Sequence, residues 1–166
     1  KHDALGRRVE KDRASGTDER YVYSGVETIQ VCDLSGTLRQ AFVFGEGIDE
    51  VLMLQQADVL DYDSDSNTSE GTRSFYHRNA LGSVVTVTDM NQAVVEDIRY
   101  DPYGAATITR NGQGQSSDPL GQHWAFTARF LDEETGLMYY RARMYDPRTG
   151  RFLQRDPLIS RRDHCP

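Results

Sequence analysis

Alternating apolar and polar residues predict short β-strands along most of this chain. β-Branched residues fill the stretch 83–88, and in 93–100 Val94, Ile98 and Tyr100 share an apolar face that Glu96 interrupts. Only residues 48–60 offer a helical alternative, and there the run 51–54 serves equally well as the centre of a strand. The predicted strands cover residues 20–25, 27–31, 37–44, 83–88, 93–100, 125–130 and 137–145.

A recurring turn motif separates these strands. It begins with Asp or Asn, which accepts hydrogen bonds from the backbone just ahead, and ends three residues later with Gly, which supplies a positive φ. The motif occurs at 3–6, 33–36, 79–82, 101–104, 118–121 and, one residue longer, 146–150. The spacing is irregular, so a strict solenoid is not expected. We therefore predict an all-β fold of antiparallel hairpins, with turns also at 89–92 and 132–136.

Composition narrows the class of protein. The chain has 166 residues, 37% of them hydrophobic, and a formal net charge of -7. No stretch approaches the roughly 20 apolar residues of a membrane-spanning helix, and the acidity disfavours a nucleic-acid partner. Only two lysines, Lys1 and Lys11, stand beside 17 arginines, a ratio that indicates fixed ion pairs with carboxylates.

Charge is also unevenly distributed. Residues 129–166 carry a net charge of +2, against -9 for residues 1–128. We therefore expect the C-terminal hairpins to pair with acidic faces elsewhere in the molecule or its parent. Tyr139, Tyr140 and Tyr145 offer rings for stacking on sugars or bases, although cross-strand packing is the more common use of such residues.

Candidate metal and thiol chemistry is sparse. Asp61, Asp63 and Asp65 match the first three ligand positions of a calcium-binding loop, but Ser66 and Thr72 stand where such a loop needs glycine and an acid. A solvated hairpin tip is the alternative, and no cofactor is expected. For Cys32 and Cys165, one long-range disulfide and two free thiols both remain open.

The C-terminal third resembles a known family. Residues 125–157 read AFTARFLDEETGLMYYRARMYDPRTGRFLQRDP, which is similar to the end of the RHS-repeat-associated core domain. The stretches 79–84 and 100–104 look like the preceding unit of that family, and residues 1–47 look like YD repeats. This resemblance implies a YD-like meander at 1–57, an acidic flexible loop at 58–72, the core region at 73–157 and a tail at 158–166. Because the chain begins with Lys rather than Met, we expect the true N-terminus to be missing.

The resemblance also implies a function. Proteins of this family wind hairpins into a spiralling sheet that closes as a hollow shell, which encloses a C-terminal toxin in bacterial members and belongs to cell-surface adhesion proteins in animal teneurins. The expected partners are flanking repeats or further copies, an enclosed toxin or a cell-surface receptor. The expected location is secreted or cell-surface, with bacterial cytoplasm before export. The chain itself is expected to be a structural shell segment without a toxin domain.

Two alternatives remain. Arg155 and Asp156 match an Arg-Asp pair that many family members use for aspartyl autoproteolysis, but the family's second aspartate segment does not occur downstream, and the D-P-L-G at 118–121 lies upstream. Autoproteolysis by this chain alone is therefore not the main expectation. The other alternative is a carbohydrate- or receptor-binding module, which needs an exposed aromatic cluster around Trp124 and Tyr139.

Overall fold

A ten-stranded antiparallel meander forms most of the structure, in agreement with the predicted all-β class. The computed structural model describes residues 1–12, 18–57, 73–110, 113–115, 124–132 and 134–157. The strands pair in strict chain order, each with the next. They are β1 Glu10–Lys11, β2 Glu19–Ser24, β3 Glu27–Cys32, β4 Leu38–Phe44, β5 Val51–Gln56, β6 Arg73–Arg78, β7 Val84–Thr88, β8 Val94–Tyr100, β9 Ala106–Arg110 and β10 Gln113–Gln115.

The turns follow the predicted geometry. The Asp101 Oδ1 atom accepts hydrogen bonds from the backbone N–H groups of Tyr103 (2.8 Å) and Ala105 (2.9 Å), while Gly104 N–H donates to the Asp101 carbonyl at a φ of 94°. Asp3, Asn79 and Asp89 make the same set of bonds. In the turn at 89–92, Gln92 takes the glycine position with a φ of 66°. The predicted turn at 118–121 lies outside the described residues.

The C-terminal residues form a second, four-stranded antiparallel sheet. Its strands are β11 Phe130–Asp132, β12 Leu137–Tyr139, β13 Met144–Asp146 and β14 Arg151–Phe152. The single strand predicted over 137–145 is therefore wrong. The chain reverses between β12 and β13, where Tyr140 N–H donates to the Arg143 carbonyl and Arg141 adopts a φ of 61°. The strand predicted over 125–130 is also wrong in its first part, because residues 126–128 form a 3₁₀ turn.

One face of the large sheet is buried. Its core side chains include Tyr21, Val31, Phe42, Leu54, Val87 and Ile98, and they form one cluster with Trp124 and Phe130 of the C-terminal residues. The predicted position of Val94 on this face is wrong. The register shifts where β7 meets β8, so that Val87 faces Glu96 and Thr88 faces Val94. Glu96 is consequently buried and Val94 exposed.

Three further sequence predictions concern the helical alternative at 48–60, the two cysteines and membrane-spanning helices. Val51–Gln56 is a strand, so the helical alternative for 48–60 is wrong over those residues. β5 pairs with β6, and the predicted loop at 58–72 lies between these two strands in the sequence. Cys32 is a buried free thiol, whereas Cys165 lies outside the described residues. In the described part of the chain, no helix is long and apolar enough to cross a membrane.

Candidate functional site

The most elaborate part of the structure is the joint between the large sheet and residues 124–157, hereafter the C-terminal segment. Trp124 anchors it, because its buried ring meets those of Phe42, Phe44 and Phe130 edge-on at centroid distances of 5.8, 5.5 and 5.3 Å. The backbone is tied as well, since Val84 N–H donates to the Ala125 carbonyl. The two sheets therefore share one core.

A buried carboxylate at the turn between β4 and β5 holds the segment at one point. Asp49 has a φ of 58°, a conformation that Asp tolerates better than most residues. Its carboxylate accepts hydrogen bonds from the guanidinium of Arg129 and, at 2.6 Å, from that of Arg141. Arg141 therefore does two things: its left-handed backbone separates β12 from β13, and its side chain binds Asp49. The predicted pairing of basic C-terminal residues with acidic ones elsewhere in the molecule occurs here, although at a single aspartate rather than at an acidic face.

A second buried carboxylate, Asp132, holds the segment to the start of the chain. Arg8 Nη1 donates to both of its oxygens, at 2.9 and 2.7 Å, and Lys11 Nζ lies 3.0 Å away. The Arg8 guanidinium also stacks over the rings of Tyr139 and Tyr21, at 4.5 and 5.0 Å from their centroids.

The charge state of Asp132 is set by these neighbours. Burial alone would raise the pKa of Asp132, but the hydrogen bonds and positive charges of Arg8 and Lys11 outweigh it and leave that pKa below its ordinary value. The carboxylate is therefore ionised at neutral pH. A buried, paired charge of this kind fixes a geometry, because separating the partners would leave a charge without compensation.

Close contacts complete the joint at the turns. The Oγ atom of Ser83, which is fully buried, accepts a hydrogen bond from Thr127 N–H at 2.9 Å. The Phe126 ring lies so close over Gly104 that a Cβ atom there would come within 2.4 Å of it. Near the second sheet, the Tyr145 hydroxyl donates to the Tyr103 carbonyl at 2.8 Å. The C-terminal segment is therefore fastened to successive turns along one end of the sheet.

The predicted catalytic pair, Arg155 and Asp156, follows β14, the last strand of the second sheet. Asp156 is half-buried and its Oδ2 lies 3.2 Å from Nη1 of Arg143, whose guanidinium stacks 3.8 Å from the Phe152 ring centroid. Arg155 is exposed. The structure thus gives Asp156 an arginine neighbour other than Arg155, and the catalytic role of the pair stays a prediction.

Other predicted sites fare differently. Asp61, Asp63 and Asp65 lie outside the described residues, and among the described ones no group of three metal-binding side chains comes together.

The exposed aromatic cluster that the carbohydrate-binding alternative requires is not found around Trp124 and Tyr139. Trp124 is buried, and the Tyr139 hydroxyl accepts a hydrogen bond from Arg8 N–H. Tyr140 and Tyr145 pack against each other and Phe152.

Comparison with known proteins identifies the family. Residues 50–163 match the family model of the Teneurin YD-shell. The chain belongs to this family. The resemblance to RHS/YD-repeat proteins that the sequence indicated is thereby confirmed. The crystal structure of TcdB2-TccC3 shares the fold, with a TM-score of 0.64 at 17% identity over 95% of this chain and 8% of that one.

Three relatives align with part or most of the chain. The tRNA(Glu)-specific nuclease WapA of Bacillus subtilis subsp. natto is 30% identical over 95% of this chain. Double-stranded DNA deaminase toxin A of Burkholderia cenocepacia is 25% identical over the same share, and salivary gland surface protein 1 of Aedes aegypti is 45% identical over 39%. The chain spans 6%, 12% and 2% of the lengths of these relatives.

Sequence reasoning did not single out the joint residues. Asp49, Asp132 and Arg8 belong to no motif that carries chemistry, and their partners lie between 80 and 124 positions away. Two signals were available, the excess of arginine over lysine and the opposite net charges of residues 1–128 and 129–166, and both indicated ion pairs without naming their residues.

Proposed function

We propose that this chain is a wall segment of a hollow YD shell whose cavity encloses a C-terminal effector. The observation that carries the proposal is a ten-stranded meander with one face covered by its own C-terminal segment and locked there by two buried carboxylates. Relatives that carry this segment as a small part of their length are named a nuclease and a deaminase toxin. The segment itself acts structurally in this proposal.

The joint suits a wall that must stay closed. Asp132 in the second sheet binds Lys11 of the first strand and Arg8 just before it, and Asp49 binds a central turn to the same segment. The cover is therefore fixed at two separated points. The backbone of Glu10 in β1 is already hydrogen-bonded to Lys1, whose amino group donates to the Glu10 carbonyl at 2.7 Å. The terminal strands on which a sheet can continue are therefore β10 and the short stretch that contains Lys1. In this proposal flanking repeats of the parent protein pair with those strands, and the complete protein is exported to the cell surface or medium.

Protection of the effector from protease tests the proposal. The full product of the gene is treated with protease under native conditions, and cleavage downstream of residue 166 is followed by mass spectrometry. We expect the effector to be protected in the native protein and cleaved much faster when Asp49→Ala and Asp132→Ala are combined. Asp97→Ala, which alters an exposed ion pair with Arg99, is the matched control and should leave protection unchanged. Equal cleavage of the effector in native protein and double variant would contradict the proposal.

A cell-surface role is the second candidate. It is favoured by the 45% identity to salivary gland surface protein 1 over 39% of the chain. Protease treatment of intact cells that express the full gene product distinguishes the two. Loss of an epitope within residues 1–57 from intact cells supports surface display, whereas an epitope that is accessible only in the secreted medium supports the toxin shell.

The enzymatic alternative and the calcium site each have a direct test. Mass spectrometry of the full product should show no new terminus just after the core region if the segment is purely structural, and a fragment that disappears in Asp156→Asn would establish autoproteolysis. Calorimetric titration with Ca²⁺ tests the stretch 61–65, and absence of heat would end that hypothesis.

A further inference from the structure

A cleft that is open to solvent lies within the joint. Its charged lining, which defines it hereafter as the arginine cleft, consists of Arg7, Asp49, Arg129 and Arg141. The side chains of Arg129 and Arg141 are 24% and 34% exposed, and Val26, another lining residue, is 51% exposed. Small solutes can therefore reach these guanidinium groups.

The ion pairs of the arginine cleft leave one positive charge in excess. The guanidinium groups of Arg129 and Arg141 both bind the carboxylate of Asp49. In the part of the chain that the structure describes, neither arginine pairs with a second acid. The Glu27 side chain lies beside this group, but it accepts a hydrogen bond from Asp49 N–H at 3.3 Å instead of pairing with an arginine. Two cations thus share one carboxylate.

The other ion pairs of the joint are balanced. Two acids and two bases meet near the start of the chain, namely Asp132, Glu134, Arg8 and Lys11. Arg7, the third arginine of the cleft, has its own carboxylate in Asp3, with Arg7 Nη2 2.7 Å from Asp3 Oδ2. The excess charge is therefore specific to Arg129 and Arg141. Because these two side chains are largely removed from water, they attract an anion more strongly than surface arginines do.

Hydrogen-bond donors in the cleft remain to be satisfied. The Arg129 Nε atom is buried and has no acceptor among the described residues. The Tyr139 hydroxyl, which also lines the cleft, accepts a hydrogen bond from Arg8 N–H at 2.9 Å but donates to no described residue. A buried donor without a partner costs free energy, so a ligand that brings acceptor oxygens into the cleft is favoured.

Apolar groups form the rest of the lining. Val26, Ala128 and Phe130 contribute hydrocarbon walls beside the guanidinium groups. A carboxylate on a short aliphatic stem matches this mixture, because its planar oxygens suit guanidinium groups and its methylene groups suit the walls. Phosphate carries about -1.5 to -2 charges at neutral pH, more than the single excess charge here, and has no apolar stem.

We propose that the arginine cleft binds one aliphatic carboxylate, which supplies the missing counter-charge to Arg129 and Arg141. The Tyr139 hydroxyl donates to the same group, and the stem of the ligand packs against Val26. An acidic side chain of a contacting peptide and a free short-chain acid both present this chemistry. The inference goes beyond the wall-segment role and does not rest on it, because the lining belongs entirely to this chain.

Titration of the 166-residue chain with propionate, with chloride as the exchanged anion at constant ionic strength, tests the site. Trp124 is the only tryptophan and lines the cleft, so its emission reports binding. We expect a saturable change in emission, with an affinity that Arg141→Gln lowers about tenfold. Arg151→Gln removes the same charge at an exposed residue outside the cleft, and this matched control should bind like the native chain.

A second variant leaves every ion pair of the joint in place. Val26→Glu puts a carboxylate at the open side of the cleft, where it supplies the counter-charge from within the chain and should lower propionate affinity about tenfold. Val22→Glu adds the same charge at an exposed residue of β2 outside the cleft and should not. Circular dichroism verifies that each variant is folded. Equal propionate affinity in the native chain and Val26→Glu would overturn the proposal, even if Arg141→Gln failed to fold.

Two peptides distinguish the sources of the carboxylate. A capped tripeptide with a central glutamate is compared with its glutamine analogue. A response to the glutamate peptide alone assigns the cleft to an acidic protein side chain, and a response to propionate but to neither peptide assigns it to a free acid; both results support the site. A native chain that responds to no carboxylate, or that binds sulfate as tightly as propionate, would overturn it. Protease protection of the effector is measured separately, so either proposal can fail alone.

Discussion

The structure depends most on a few buried side chains whose partners are far away in the sequence. Asp132→Asn removes the charge that compensates buried Arg8, and we expect it to lower the free energy of unfolding by about 3 kcal/mol. The measurement is urea unfolding followed by circular dichroism at pH 7. Asp97→Asn, in an exposed pair, should change the same quantity by less than about 0.5 kcal/mol. Similar losses in both variants would contradict the account of the joint.

The same residue predicts a pH dependence. Because the pKa of Asp132 is lowered on folding, its stabilisation is complete above the unfolded pKa of about 4 and is lost as the pH falls through the folded value. Asp33, whose pKa is about 2, contributes to the same acid loss, with Ser35 as the main cause of the shift. The stabilities of native chain and Asp132→Asn should therefore converge as the pH drops below about 4. A gap that stays constant from neutral pH to pH 2.5 would contradict the assignment.

The absence of a side chain at Gly104 allows the Phe126 ring of the C-terminal segment to lie directly against the turn between β8 and β9. Gly104→Ala combines a positive φ with a clash against the Phe126 ring, so we expect a loss of about 2–4 kcal/mol in unfolding free energy. Gly82→Ala has a comparable φ of 78° but open space around the added Cβ, and should lose only about 1 kcal/mol. Thermal unfolding of the two variants provides the comparison, and equal losses would show that the approach of Phe126 is unimportant.

At the scale of elements, the C-terminal segment should be able to detach while the large sheet remains folded. Removing both arginine partners of Asp49, with Arg129→Ala and Arg141→Ala, weakens the joint without touching the strands. Trp124, the only tryptophan, reports this directly, because its ring leaves a buried aromatic cluster on undocking. We expect its emission to shift to the red at lower urea concentration than the loss of β-sheet circular dichroism. Coincident transitions in this variant would contradict a separable joint.

The strands and turns show which features of the fold can be predicted from local sequence patterns. The meander from β2 to β4 and the turns after Asp33, Asn79 and Asp101 were predictable, because alternation and Asx turns act within a few residues. The break between β12 and β13 was not, since residues 137–145 are rich in strand-forming side chains throughout. At that break Arg141 adopts a left-handed conformation and pairs with Asp49 from 92 positions away. The register shift that exposes Val94 is likewise set by pairing with β7 rather than by local sequence.

At the scale of the whole molecule, the family resemblance predicted the architecture better than the composition did. Length and 37% hydrophobic content are compatible with an independent domain, and only the ordered C-terminal motif indicated a shell. For the candidate site, the sequence predicted the type of interaction, ion pairs, but not the residues that form them. Arginine excess and opposite charge in the two parts of the chain implied ion pairs between them, but pairing Asp49 with Arg129 and Arg141 requires the fold itself, because 80 and 92 positions separate them. The pair of Arg8 with Asp132 runs in the opposite sense, with the base in the acidic part of the chain.

Cryo-electron microscopy of the full gene product tests the central claim most directly, since a shell is a property of the complete sheet. The account predicts that β10 and the stretch beyond β1 that contains Lys1 are hydrogen-bonded to flanking strands in one continuous closed sheet, with the C-terminal segment turned toward a cavity that contains the effector. A reconstruction in which these ten strands stand as a separate module, with the outer edges of β10 and of the Lys1 stretch facing solvent and the effector outside, would contradict it.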